Sequence, residues 1–327
     1  MVSYSFLEFL LLSPKYSNLD MLMVLMEDKI KLSDLLNYAK KFMENAKYEW
    51  LIQGNLLEED AKKIVTMCND LFAIDTKTET PTKINITRSV NLSSKSNYVY
   101  IFTHPNPEEL NSSISSFYQC GHLSDKEKML LYILEHYLKT KFMDDLRTNQ
   151  GLGYVSLLIS REYRGNSGIV CLVQSNTKEP EYVSGKIRNF FKESWEKIKV
   201  ITDDEFKSYV NSVMVEQKKK DINLIEETSR NYAEITRHYY NFDRKEKNCE
   251  ILEKLKKEEL IEFYNVHFCE DIRKLDVEYV AECHKVNNEK LFEETKEENG
   301  IKRIRIHSIK ELSMMNELFP DFFNLNK

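Results

Sequence analysis

No stretch of this 327-residue chain is apolar enough to cross a bilayer. The longest run without a formal charge, Leu110–Ser124, has fifteen residues and is rich in Ser, against the roughly 18 apolar residues a membrane helix needs. No basic stripe is present either. Lys and Arg number 47 against 53 Asp and Glu, a net charge of −6 with the signs interleaved, which disfavours a nucleic-acid partner. The six cysteines contain no C-x-x-C spacing and read as reduced, mostly buried thiols of a reducing compartment, here the cytoplasm. The apolar cluster between Phe6 and Leu12 lacks a basic flank, carries Glu8 and is closed by Pro14, so it is a poor secretory leader. The sequons at Asn85, Asn91 and Asn111 are accordingly chance occurrences.

Glycine and proline are both absent between positions 186 and 299, which predicts mostly helix there. What the chain does have is 42% hydrophobic and 11% aromatic residues, enough for a core, at a length that suggests about two domains. Residues 84–120 and 154–176 are dense in β-branched and aromatic side chains and read as strands, with a hairpin turn at Arg164–Gly168. Ser124 with Glu127, and Thr202 with Glu205, form two capping boxes. The first opens a helix ending near Arg147 with one apolar face from Leu130 to Leu146. Further helices are expected at 179–199, 203–240 and 250–266, and upstream at 58–72 after a short strand at 47–52. The Thr-rich run at 75–83 reads as a linker. Only about 75 residues precede it, marginal for an independent core; they would hold a single hairpin and some helices.

The segment Leu146-Arg147-Thr148-Asn149-Gln150-Gly151-Leu152-Gly153-Tyr154 joins the end of a long helix to a strand. Its L-R-T-x-x-x-L-G-Y pattern resembles the fourth domain of insulin-degrading enzyme and its pitrilysin relatives, the insulinase family of zinc metallopeptidases. Gln174-Ser175, the run Tyr240–Arg244 and Gln53-Gly54-Asn55 are similar to the same family in order and spacing. One departure is Gly151, where the family usually has Gln. The resemblance implies that residues 1–75 are the C-terminal remnant of a third insulinase-like domain and 76–327 the fourth, from a fragment, a truncated gene model or a separate subunit.

The family's zinc motif, H-x-x-E-H, begins at none of the seven histidines: His104, His122, His136, His238, His267, His284 and His307. The nearest match, His267-Phe268-Cys269-Glu270-Asp271, ends in Asp and is a chance likeness. His267, Cys269, Cys283 and His284 have zinc-compatible chemistry but not the spacing of a standard finger. By resemblance that region is a helix end followed by a strand, with no metal. The expected metal content of this chain is none, with zinc in an N-terminal half.

The expected fold is α+β, an antiparallel sheet covered on one face by long helices and preceded by a partial domain of similar type. The expected function is the zinc-free C-terminal half of an insulinase-like metalloendopeptidase, inactive alone, forming a chamber wall for a peptide substrate. Its partner is an N-terminal catalytic half on the same or a separate chain, and homo-oligomerisation is left open. The resemblance assigns Arg147 to substrate backbone carbonyls and Tyr154 to hydrogen bonding the oxyanion at the other half's zinc. The plainer alternative has Arg147 capping a helix C-terminus and Tyr154 packing in the sheet. Competing functions are a non-catalytic peptide-binding or assembly subunit of the same fold, and a helical scaffold built on 186–299.

Overall fold

Both capping boxes form. Ser124 Oγ accepts from the Glu127 amide while the Glu127 carboxylate accepts from the Ser124 amide at 2.8 Å, and Thr202 and Glu205 repeat the exchange. In the computed structural model, residues 2–27, 30–46, 48–71, 87–294, 296–298 and 300–320 are described. The chain opens with α1 (Val2–Leu11), the short strand β1 (Leu12–Ser13), and helices α2 (Asn18–Met26), α3 (Leu32–Asn45) and α4 (Glu58–Leu71). Strands β2 (Arg88–Ser89), β3 (Ser96–Thr103) and β4 (Ser112–His122) lead to α5 (Asp125–Met143), β5 (Val155–Tyr163), β6 (Asn166–Ser175) and α6 (Pro180–Ile198). Then come α7 (Asp203–Lys218), α8 (Leu224–Thr236), α9 (Arg244–Leu252) and α10 (Lys257–Asn265). The chain closes with β7 (Arg273–Val280), α11 (Lys285–Glu294), β8 (Glu297–Glu298), β9 (Ile301–Ile306) and α12 (Ile309–Met315).

Two compact units result. The first comprises Met1–Pro14, Thr87–Lys219 and Asp243–Lys327, the second Lys15–Ile86 and Lys220–Phe242. The linker expected at 75–83 lies outside the described residues.

The first unit is α+β, built on a seven-stranded sheet in the order β5-β6-β4-β7-β3-β9-β8. The sheet is mixed rather than purely antiparallel, because β3 runs parallel to both β7 and β9. The β5–β6 turn places Arg164 and Gly165 at φ 51° and 78°, the paired positive values of a two-residue hairpin turn. One sheet face carries Ile114, Leu158, Ile169, Cys171 and Val173 against α5 and α6. The other face is covered as well: Leu7, Leu10 and Leu11 of α1 and Leu312 of α12 pack on Phe117, Val170, Leu275 and Val277. The first apolar cluster in the sequence is thus a core helix.

The strand β7 lies where composition predicted helix. Its alternation places Leu275 and Val277 on the α1 face and Lys274, Asp276 and Glu278 on the α6 face, all buried. Burial of Lys274 and Asp276 is tolerated because they pair and are hydrogen-bonded, while Glu278 accepts from Asn288 at 2.7 Å. Asp276 accepts from Lys274 Nζ at 2.9 Å, Ser116 at 2.5 Å, Asn97 at 2.9 Å and Ser184 at 3.0 Å. Arg303 holds Glu181 through two bonds of 2.7 and 2.5 Å. The helix expected at 203–240 is broken, since Asn223 caps a new helix by accepting from the Glu226 amide at 3.0 Å. The strand expected at 47–52 is not formed at 48–52, which pair with no strand among the described residues.

The second unit contains α2, α3, α4 and α8. None of its described apolar side chains is fully buried, and α2 leaves Met21 to Met26 exposed on every side.

Candidate functional site

The sequence around Arg147 folds as a tightly pinned turn. Leu146 and Leu152 are both buried, and the Leu152 amide donates to the Leu146 carbonyl at 3.0 Å. Between them the last turn of α5 widens into a π-helix, Asp144–Asn149, in which the Gln150 amide reaches Asp145 O at 3.0 Å. Such widened turns recur at functional sites. Gly151 takes φ +60°, and Gly153 passes so close to β6 that a Cβ there would lie 1.7 Å from the Gln174 carbonyl oxygen. That close approach is why position 153 carries no side chain. It delivers the chain to Tyr154 at the start of the edge strand β5.

Tyr154 does not pack in the sheet. It is 81% exposed, and the Arg147 guanidinium carbon lies 4.5 Å from its ring centroid. Among the described residues Arg147 has no hydrogen bond or ion pair, and it is the basic residue in the last turn of the π-helix, where a cation also suits the helix dipole. A guanidinium stacked by one face keeps its in-plane N–H edge available for carbonyl or carboxylate oxygens. The structure therefore brings together the two residues that the sequence singled out, with a cation and a phenol hydroxyl on one exposed surface.

Of the other family-like segments, Gln174-Ser175 lies beside this turn, whereas Gln53-Gly54-Asn55 and the start of the Tyr240–Arg244 run belong to the second unit. Gln174 ends β6 opposite Val155, and Ser175 Oγ accepts from the Lys178 amide at 3.1 Å. In the second unit the Gln53 side chain accepts from Asn231 at 3.0 Å, and the Tyr240 hydroxyl donates to the Glu49 carboxylate at 2.9 Å.

The four residues of zinc-compatible chemistry are not gathered. His267 and Cys269 precede β7 while Cys283 and His284 follow it, so an eight-residue strand holds the pairs roughly 26 Å apart. His284 Nδ1 is hydrogen-bonded to Ser112 Oγ at 2.8 Å. Burial pushes the His267 ring below its ordinary value. Among the described residues no three His, Cys, Asp or Glu side chains cluster as metal ligands, so the residues present do not fit a catalytic zinc. Of the cysteines only Cys120 and Cys171 are buried, where most were expected to be; Cys269 and Cys283 sit at exposed ends around β7.

Comparison with known proteins bears on the same segments. The family described as PQQ synthase PqqF-like, C-terminal lobe domain 4, matches residues 133–232, which include Arg147, Tyr154 and Gln174. Insulin-degrading enzyme of Drosophila melanogaster is 25% identical over 322 residues, 97% of this chain and 32% of that protein. These matches support an insulinase-family C-terminal region. Nardilysin of Rattus norvegicus is 29% identical over 77% of this chain and 22% of its own length. The insulinase-family region thus spans about a third or less of the relatives it matches. The crystal structure of pitrilysin has the same fold, with TM-score 0.75 at 17% identity over 94% of this chain and 31% of its own. An inactive peptidase domain from Pseudomonas fluorescens follows at TM-score 0.53 and 14% identity, covering 77% of this chain and 57% of its own. No described helix is long and apolar enough to cross a membrane.

Proposed function

We propose that this region is the zinc-free half of an insulinase-type metalloendopeptidase, in which 1–75 closes a third domain and 76–327 is the fourth. It would line a peptide chamber, in the cytoplasm, and complete a site whose metal and general base belong to an N-terminal half. The observation that carries this reading is the unpaired Arg147 guanidinium stacked on the exposed Tyr154 ring. In that arrangement Arg147 receives backbone carbonyl oxygens of an extended peptide, holding the scissile bond in place. Tyr154 then donates its hydroxyl proton in a hydrogen bond to the oxyanion of the tetrahedral intermediate. One preorganised donor of that kind contributes about 3 kcal/mol when the site is closed to water.

A partner polypeptide is supported by the second unit. Six consecutive apolar residues, Met21 to Met26, are each about half exposed or more, and contiguous apolar surface of that extent marks an interaction surface. Among the described residues no metal-ligand cluster is present to activate water, and in this reading the chain alone would not hydrolyse peptides.

A second reading, a non-catalytic peptide-binding or assembly subunit, is favoured by the fold shared with an inactive peptidase domain. Arg147→Ala separates the two in the enzyme reconstituted with an N-terminal half. Loss of turnover larger than loss of peptide affinity supports the enzyme half; equal losses support a binding subunit.

A further inference from the structure

A cavity of about 60 Å³ lies between the α6 side of the sheet and α6 itself, remote in sequence from the Arg147–Tyr154 turn. The volume is room for several water molecules or a short side chain. Phe191, Phe268 and Ile301 give it largely apolar walls. Arg188 Nε and Arg303 Nε, on lining residues, have no hydrogen-bond partner, and neither do two uncharged polar atoms, Asn97 Oδ1 and the Tyr118 hydroxyl, on residues only 2% and 3% exposed. Each would cost stability if left unsatisfied.

The two atoms ask for complementary partners. Asn97 Nδ2 is committed to Asp276 at 2.9 Å, so Oδ1 is fixed as an acceptor in need of a donor. Burial holds the Tyr118 phenol well above its ordinary pKa, which keeps its proton on and available for donation. Arg188, Lys192, Lys274 and Arg303 line the cavity, and Arg188 donates to Ser184 at 2.8 Å. Lys274 Nζ donates to Asp276 and Ser184 at 2.9 and 3.2 Å, and Arg303 donates twice to Glu181.

We propose that this cavity is a binding site for a primary carboxamide on a short aliphatic stem. Its N–H donates to Asn97 Oδ1, its carbonyl accepts from the Tyr118 hydroxyl, and the stem lies against Phe191 and Phe268. A carboxylate has no donor for Asn97 Oδ1, whereas the carboxamide N–H supplies one. The carboxamide comes either from a free small amide or from a Gln or Asn side chain of a peptide.

Ligand-observed saturation transfer on the full chain tests this with propionamide, propionate and the tripeptide Ala-Gln-Ala. Propionamide should bind saturably, Tyr118→Phe should weaken it by about tenfold, the worth of one hydrogen bond, and Ile301→Trp, which fills the cavity, should abolish it. Binding of Ala-Gln-Ala that Ile301→Trp also removes assigns the peptide source, whereas propionamide binding without it assigns the free amide. The site is wrong if propionamide does not bind the folded wild-type chain, if both variants bind like wild type, or if propionate binds as well. Should Tyr118→Phe fail to fold by circular dichroism, Ile301→Trp and the propionate comparison decide.

Discussion

Arg147 stacks on Tyr154 across the six residues between them, its guanidinium carbon 4.5 Å from the ring centroid, although neither side chain is buried in a core. The stack itself is worth about 0.5–1 kcal/mol at an exposed site, too little to impose the geometry. The turn imposes it, through the buried Leu146 and Leu152 and the approach of Gly153 to β6.

Gly153→Ala should therefore cost far more than Gly151→Ala. At 153 the new methyl meets the Gln174 backbone oxygen, and relief requires moving strand β6, for about 3 kcal/mol or more. At 151 nothing lies within 4 Å and only the φ of +60° is strained, for about 1–2 kcal/mol. Urea denaturation midpoints of the two variants check the order. Equal midpoints would mean that the turn is not pinned against β6.

Removing Arg303 should unfold the sheet side of α6 more readily than removing both members of its pair. Arg303→Met leaves the buried Glu181 carboxylate without its bidentate donors and should cost about 3–5 kcal/mol. The double variant Arg303→Met, Glu181→Leu should recover part of that loss in the same denaturation assay.

Two neighbouring carboxyls on β7 should give stability opposite pH dependences. Burial works to raise Asp276, but Lys274, Arg303 and the hydrogen bonds from Ser116 and Asn97 overcome it and hold the group at about 2. Its unfolded value is near 4, so its contribution is complete above about pH 4 and is lost as pH falls toward 2. Burial and the Glu181 charge push Glu278 well above its ordinary value. The native state then binds more protons than the unfolded chain, and stability declines as pH rises above about 4.5. Glu278→Gln should remove that decline. Chemical denaturation at intervals from pH 5 to 8 measures it, and an unchanged slope in the variant would show that Glu278 does not titrate in this range.

Thiol labelling should sort the cysteines by their surroundings. Cys120 and Cys171 are buried with thiols pushed far up, and should resist a thiol reagent until the chain is denatured. Cys269 is exposed, yet burial of its sulfur and the Glu270 carboxylate push it up to about 11, so at pH 8 it should react more slowly than Cys283.

Much of this architecture is legible from local rules. The capping boxes at Ser124 and Thr202, the α6 start at Pro180 and the Arg164–Gly165 turn involve residues within five positions of one another, where spacing alone decides. The strand β7 was not legible from composition. Its alternating Lys274, Asp276 and Glu278 look like a solvent-facing edge, and only contacts from α6, β3, β4 and β9 make the charges buryable. The parallel pairing of β3 with β7 and β9 joins segments more than 170 residues apart, for which no short-range signal exists. At 48–52 aromatic and β-branched residues suggested a strand, but an isolated run without a paired neighbour does not form one. The Arg147–Tyr154 turn was legible through a motif that resembles a family, because L-R-T-x-x-x-L-G-Y records buried leucines, a close-packed glycine and two exposed side chains together. What the spacing did not reveal was the direct stacking of those two groups.

The most direct test is peptide hydrolysis by the purified chain, with zinc quantified on the same sample, before and after mixing with an N-terminal half that carries H-x-x-E-H. The expected result is no hydrolysis and no stoichiometric zinc alone, activity on mixing, and a loss of about a hundredfold in kcat with Tyr154→Phe at little change in KM. Zinc-dependent hydrolysis by the chain alone, or full activity of the mixed Tyr154→Phe enzyme, would contradict the assignment of Arg147 and Tyr154 to a completing half-site.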